Sequence, residues 1–244
     1  MTYCVAIKLD RGLVLAADTR TNAGVDNIAQ FRKLHLWKKP GERVLFLLAA
    51  GNLAITQAVV ANLNEGLAAA DADERPNLFT VPTLYRAARL VGDAVREVRS
   101  IDGPSLEAAH GVFTASFVVA GQIGAAPPSI FNVYSEGNFI EATADTPYFQ
   151  IGEHKYGKPI LDRVARADMR LKEAAKLVLL SFDSTLRSNL SVGMPIDLAV
   201  YERDSLDVRR MRRIGEGDAD FRALSSAWSD ALRTAFATIE APDV

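Results

Sequence analysis

The sequence has a single cysteine, Cys4, so no disulfide can close within one chain and the framework of a small disulfide-stapled fold is excluded. Its three histidines, His35, His110 and His154, lack any short metal-ligand spacing, and neither metal nor cofactor is expected. No apolar run approaches the ~20 residues of a membrane span. Lys8, Asp10 and Arg11 break the N-terminal apolar stretch too early for a signal peptide. Neither sign of charge prevails: 28 Lys and Arg against 30 Asp and Glu leave a formal net charge of −2, no field to draw nucleic acid or an acidic membrane. Linkers rich in Pro, Gly or Ser, repeats and low-complexity tracts are also missing. These absences, with 49% hydrophobic content over 244 residues, lead to the expectation of one cytoplasmic domain over residues 1–244.

What is present begins at Thr2. Aminopeptidase removes Met1 when the next residue is small, so the mature chain is expected to start with a hydroxyl and a free α-amine on one residue. The hydroxyl is a weak nucleophile, but an amine titrating near ~8 can take its proton at neutral pH. Behind Thr2 runs the strand-like stretch Tyr3 to Leu9. A second, Leu13 to Ala17, ends at Asp18-Thr19-Arg20, and a third, Phe31 to Trp37, carries Lys33 near its start. A fourth, Val44 to Ala50, closes on Gly51-Asn52, a tight turn with an Asn suited to cap the next helix. A glycine turn feeding a helix N-terminus can present backbone N–H groups to an oxyanion.

Further along, Leu53 to Ala70 and Thr83 to Ser100 carry helical apolar stripes. Phe113 to Gln122, Ile130 to Tyr134, Asn138 to Ala142 and Tyr148 to Ile151 read as strands. Helices return from Pro159 and over Lys172 to Ser188, then strands at Pro195 to Arg203 and Val208 to Ile214. A final helix at about 217–238 spaces Phe221, Leu224, Trp228, Leu232 and Phe236 on one stripe.

Met-Thr, then Gly-Leu-Val-Leu-Ala-Ala-Asp-Thr-Arg, Arg-Lys-Leu-His and Ala-Ala-Gly before a helix resemble the N-terminal signature of proteasome β-subunits. Thr-Asn-Ala-Gly-Val-Asp at 21–26 and Ser-Val-Gly-Met-Pro-Ile-Asp at 191–197 bring the resemblance closer to the bacterial ancestral β-subunit family, Anbu. The specific part covers residues 2 to about 60, and element order extends it over most of the chain. The resemblance implies an α+β fold, the four-layer αββα sandwich of N-terminal-nucleophile hydrolases, and a threonine peptidase acting on peptides or unfolded protein. It implies assembly of copies into a ring or open spiral, with an unfoldase or operon partner to deliver substrate.

The family roles fall on residues already noticed. Thr2 would attack, its amine or Lys33 would move the proton, Gly51 N–H would hold the oxyanion, and Asp18 would keep Lys33 charged and oriented. Arg20 would steady the Asp18 loop, Ser191 matches the family's serine near the nucleophile, and Thr21 and Ala49 would border the substrate pocket. This chain also departs from the pattern. The Asp18 to Lys33 interval is one residue shorter than in ordinary β-subunits. In Arg187-Ser188-Asn189-Leu190-Ser191, Ser188 stands where Asp is usual. Glu153 holds another serine position, where its carboxylate would favour a protonated amine. Two other readings stay open: an assembled β-like subunit with little turnover, and a small-molecule amidase on the same fold.

Two remaining signals are read as structural. Gly152 to Pro159 has the glycine and lysine spacing of a phosphate loop, but proline replaces the hydroxyl residue that should hold Mg²⁺. Arg209, Arg210, Arg212 and Arg213 have acidic neighbours and no aromatic platform, which fits a solvated or interface strand face better than a nucleic-acid surface.

Overall fold

The computed structural model describes residues 1–22, 28–68 and 76–242. Positions 23–26 of the Thr-Asn-Ala-Gly-Val-Asp motif and the 69–70 end of the first expected helix lie outside them. The chain opens with β1 (Tyr3–Leu9), β2 (Gly12–Asp18) and a short hairpin of β3 (Arg20–Asn22) and β4 (Ile28–Gln30). It continues through β5 (Leu34–Lys39), β6 (Arg43–Gly51), α1 (Leu53–Ala68), α2 (Leu84–Ala108), β7 (Ala115–Ile123), β8 (Ser129–Val133), β9 (Phe139–Glu141) and β10 (Tyr148–Gly152). Then come α3 (Lys158–Val164), α4 (Leu171–Ser188), β11 (Ile196–Glu202), β12 (Arg210–Ile214) and α5 (Ala219–Thr238). One sheet has the order β10-β1-β2-β11-β12 and the other β5-β6-β7-β8-β9, and the pairs in both are antiparallel.

Strand alternation sorts the core. In β1, Tyr3, Val5, Ile7 and Leu9 join a cluster with Leu161 of α3 and Leu177, Val178 and Phe182 of α4. The intervening Cys4 and Ala6 meet Leu34, Val44, Phe46 and Leu48 of the other sheet. In β6 the odd residues Leu45, Leu47 and Ala49 face Ile55, Val59, Val91 and Val95 of α1 and α2. Strands covered on both faces need apolar side chains at every position, which is why β2 and β6 read as unbroken apolar runs. Each large side chain withdrawn this way contributes about 1.5–3 kcal/mol of transfer free energy. Tyr3 also buries its hydroxyl safely, donating to Ser181 Oγ at 2.9 Å and accepting from Gln150 Nε2 at 2.7 Å.

Antiparallel register brings distant residues to common sheet ends. Tyr3 pairs with Gly152, Cys4 with Ala17, and Ile196 with Asp18, so the start of β1, the ends of β2 and β10 and the start of β11 meet. In the other sheet the start of β5 lies beside the end of β6, with Leu34 opposite Leu48.

Several expectations change. The third strand starts at Leu34, not Phe31, because Phe31 N–H bonds Thr19 O and Lys33 leaves the ladder to reach Asp18. α2 runs past the expected stop at Ser100, through Gly103 and Pro104, because Leu106 packs on the α1–α2 core and the helix ends only where Gly111 N–H returns to Leu106 O. The α5 stripe is at helical spacing but is not a core stripe: Phe221 is buried, while Leu232 is 50% and Phe236 82% exposed. α4 and the sheet cover only its first turns. Among the described residues, no helix is long and apolar enough to cross a membrane.

Candidate active site

Asp18 ends β2 with no exposed surface, and Lys33, just ahead of β5, is also buried. Lys33 Nζ donates to Asp18 Oδ1 at 2.8 Å and to Arg20 O at 2.6 Å. Asp18 also accepts from Tyr3 N–H at 3.0 Å and Gly193 N–H at 3.3 Å. Burial pushes the Asp18 carboxyl up from its ordinary range, against the pull of the Lys33 ammonium and of the two backbone N–H groups. One carboxylate thus ties together the first strand, the lysine and the segment before β11.

Thr2 is buried beside this pair, its carbonyl accepting from Glu153 N–H at 2.6 Å. The approach depends on Gly152, whose φ is +81° and where an added Cβ would lie 2.1 Å from Thr2 O. The terminal amine in this chain belongs to Met1. Burial lowers its pKa first and the Lys33 charge second, against an opposing pull from Asp18. Among the described residues, no side-chain hydrogen bond engages the Thr2 hydroxyl.

Gly51 closes β6 at φ +122°, with Thr114 O 2.4 Å from where a Cβ would be, so only glycine fits. Asn52 follows as the expected cap, its Oδ1 accepting from Ala54 N–H at 2.9 Å. Thr2, Thr21, Lys33, Ala49 and Gly51 line one cavity of about 760 Å³. Among the described residues Thr21 Oγ1 is buried there without a partner, and Ala49 supplies a small side chain at the wall.

Of the secondary residues, Arg20 donates to Leu190 O at 3.2 Å and lies across Gly193, where a Cβ would come within 2.1 Å of its Nε. Glu153 is not directed at the terminal amine, contrary to the sequence expectation. Its Oε1 accepts from His154 and Lys155 N–H at 2.9 and 2.8 Å, and its Oε2 from Asn189 Nδ2 at 2.6 Å. Burial alone would raise its pKa, but these donors outweigh it and hold the carboxyl below the ordinary value. Asn189 Oδ1 accepts in turn from Ser191 N–H at 2.9 Å. Ser191 is half-buried in this bend, whereas Ser188 is exposed at the end of α4 and is not brought to the cluster.

The sequence reading missed Gly152, Gly193 and Thr19, whose hydroxyl donates to Pro195 O at 2.8 Å. It also missed Arg32, His35 and Gln57 on the cavity wall. Gly152 is visible in the sequence as a glycine closing an apolar run, but nothing local shows its approach to Thr2 O. In that loop Lys158 is engaged by both Asp162 oxygens and by Tyr148. The arginine run is likewise paired in part: Arg212 with Asp218 and Asp220, and Arg213 with Asp197.

No protein-family model and no curated protein matches the chain. Solved structures do. Anbu from Hyphomicrobium sp. strain MC1 is 66% identical over 99% of this chain and 100% of that one, with a TM-score of 0.92. The chain belongs to the Anbu family. Anbu, the ancestral beta-subunit, from Yersinia bercovieri is 46% identical with TM-score 0.92 over 99% of both chains. The Anbu complex from Pseudomonas aeruginosa, solved as a helical assembly, is 47% identical with TM-score 0.93 over 99% of this chain and 98% of that one. The family is proteasome-related, and these likenesses run the full length of the chain.

Proposed function

We propose that this Anbu protein is an N-terminal threonine peptidase of proteasome type. Removal of Met1 frees the Thr2 amine, which takes the hydroxyl proton as Oγ1 attacks a peptide carbonyl. The tetrahedral oxyanion is held by Gly51 N–H. Collapse returns the proton to the leaving amine and leaves an ester on Thr2, which water then hydrolyses. The observation that carries this reading is the buried Lys33–Asp18 pair beside the chain terminus: burial first and the Lys33 ammonium second lower the pKa of the Met1 amine, and the same two causes would favour the basic form of a Thr2 amine. Thr21 and Ala49 border the substrate cavity, and Arg20, Asn189, Glu153 and Ser191 brace the segment that meets Asp18.

The three core clusters support one domain in the four-layer αββα arrangement. The uncovered α5 face, together with the helical assembly of the Pseudomonas aeruginosa relative, supports self-association of the chain. Sedimentation at micromolar concentration should give a large assembly, and monomer alone would contradict it. Chemistry is tested by intact mass spectrometry with a threonine-directed electrophile. The expected result is loss of Met1 and one adduct on Thr2, with no adduct on folded Thr2→Ala protein. Equal labelling of the two proteins would overturn the assignment.

A further inference from the structure

The cavity beside Thr2 has an uneven charge. Among the described residues, its charged lining side chains are the cations Arg32 and Lys33, with no aspartate or glutamate. Lys33 is answered by Asp18 at 2.8 Å, whereas Arg32 is exposed and, among the described residues, has no carboxylate partner. Two neighbours can assist an anion without adding charge. His35 is held below the ordinary imidazole range, at a pKa of about 4, by burial and by the Arg32 charge, so near neutrality it is an uncharged donor and acceptor. Its ring lies near-parallel to that of Trp37, with centroids 6.1 Å apart. Gln57, one turn into α1, is exposed and its amide is unengaged among the described residues. On the same side of the cavity, Asn52 caps Ala54 N–H, and Thr56 Oγ1 donates to Leu53 O. Ala49 leaves room behind them.

We infer that this cavity is an acid-selective pocket, in which Arg32, assisted by His35 and Gln57, seats the side-chain carboxylate of the substrate residue whose carbonyl Thr2 attacks. The inference rests on Thr2 being the nucleophile. A guanidinium offers a planar pair of donors to a carboxylate, and among the described residues nothing acidic on the cavity wall competes for it. Basic side chains are disfavoured by the same unanswered charge.

The test uses peptide epoxyketones that differ only in the residue next to the electrophile: Glu, Gln, Leu or Lys. Rates of adduct formation on Thr2 are read by intact mass. The Glu probe should react about fivefold faster than its Gln twin at low salt, the size expected of one exposed Arg–carboxylate pair, and the ratio should shrink at high salt. Arg32→Gln should bring the ratio near unity, Arg32→Lys should restore part of it, and Arg32→Glu should turn the preference toward Lys. Labelling without a Glu preference, or with one that survives Arg32→Gln, would overturn the pocket assignment and leave the nucleophile intact. If no probe labels Thr2, the nucleophile reading fails, and the pocket is then judged by fluorescence anisotropy on Thr2→Ala protein. Labelled peptide amides ending in Glu, Gln or Lys should bind in that order, and equal or absent binding would overturn the pocket as well.

Discussion

Two buried carboxylates belong to residues that hydrogen-bond the chain at Thr2 and Tyr3, and they are held in opposite ways. Asp18 faces a cation, and its two backbone N–H donors are secondary to Lys33. Among the described residues, Glu153 faces no cation at hydrogen-bond range. It is held by an amide side chain and two backbone N–H groups of its own turn. A carboxylate paired with a charge transmits electrostatics to whatever lies beside that charge, here the terminal amine. A carboxylate wrapped in neutral donors fixes geometry, here the bend from Asn189 to Ser191. The first region is therefore the place to look for effects on proton transfer and the second for effects on order.

Breaking the first region should cost most. Lys33→Ala leaves the Asp18 carboxyl buried without its cation, and removing one partner of a buried ion pair costs about 3–5 kcal/mol. Urea unfolding should register that loss, and Thr2 labelling should fall sharply in whatever protein remains folded. A stability change near zero would mean that Asp18 is protonated in the folded state and that the pairing carries no charge.

Gly152→Ala strikes the joint between the two regions. Alanine there has to adopt φ +81° and place its Cβ against Thr2 O, which is backbone and cannot swing aside. Strain and overpacking together should cost ~2–4 kcal/mol and displace Thr2 from Lys33. Loss of labelling that outruns loss of stability would support the displacement. Wild-type labelling in a stable Gly152→Ala protein would show that the close approach is not needed.

The sequence made one region far more legible than the other. Asp18 and Lys33 stand at the ends of apolar runs, where opposite charges are conspicuous, and Gly51-Asn52 punctuates a strand before a helix. The glycines at 152 and 193 act through backbone approach to Thr2 O and to the Arg20 side chain, and no local pattern encodes a contact across 150 or more residues of chain. Glu153 was visible as an oddity, but its partner Asn189 is 36 residues away, so its direction could not be read. The hairpin of β3 and β4 has three residues per strand, too few for periodicity to register. In α5 the stripe was legible and its burial was not, since a helix face packed inside one chain and a face awaiting a partner carry the same spacing.

The smallest effect, and the one that sharpens the contrast, is Glu153→Gln. Glutamine keeps an acceptor for Asn189 Nδ2 but loses the charge that strengthens all three hydrogen bonds, a cost of about 1–2 kcal/mol near neutral pH. The pH dependence has a definite sign. The folded carboxyl titrates below its unfolded value, so its contribution is fully present above the ordinary glutamate range and is lost as pH falls through the folded pKa. Wild-type stability should therefore drop in acid more steeply than that of Glu153→Gln, and the two curves should converge at the acid end. The pH profile of Thr2 labelling should be the same in both proteins, because the Glu153 carboxylate is taken up by His154 N–H, Lys155 N–H and Asn189 Nδ2 and is turned away from the amine. A labelling profile displaced to lower pH in Glu153→Gln would mean that this carboxylate reaches the amine after all, and the division between a region that tunes and a region that orders would collapse.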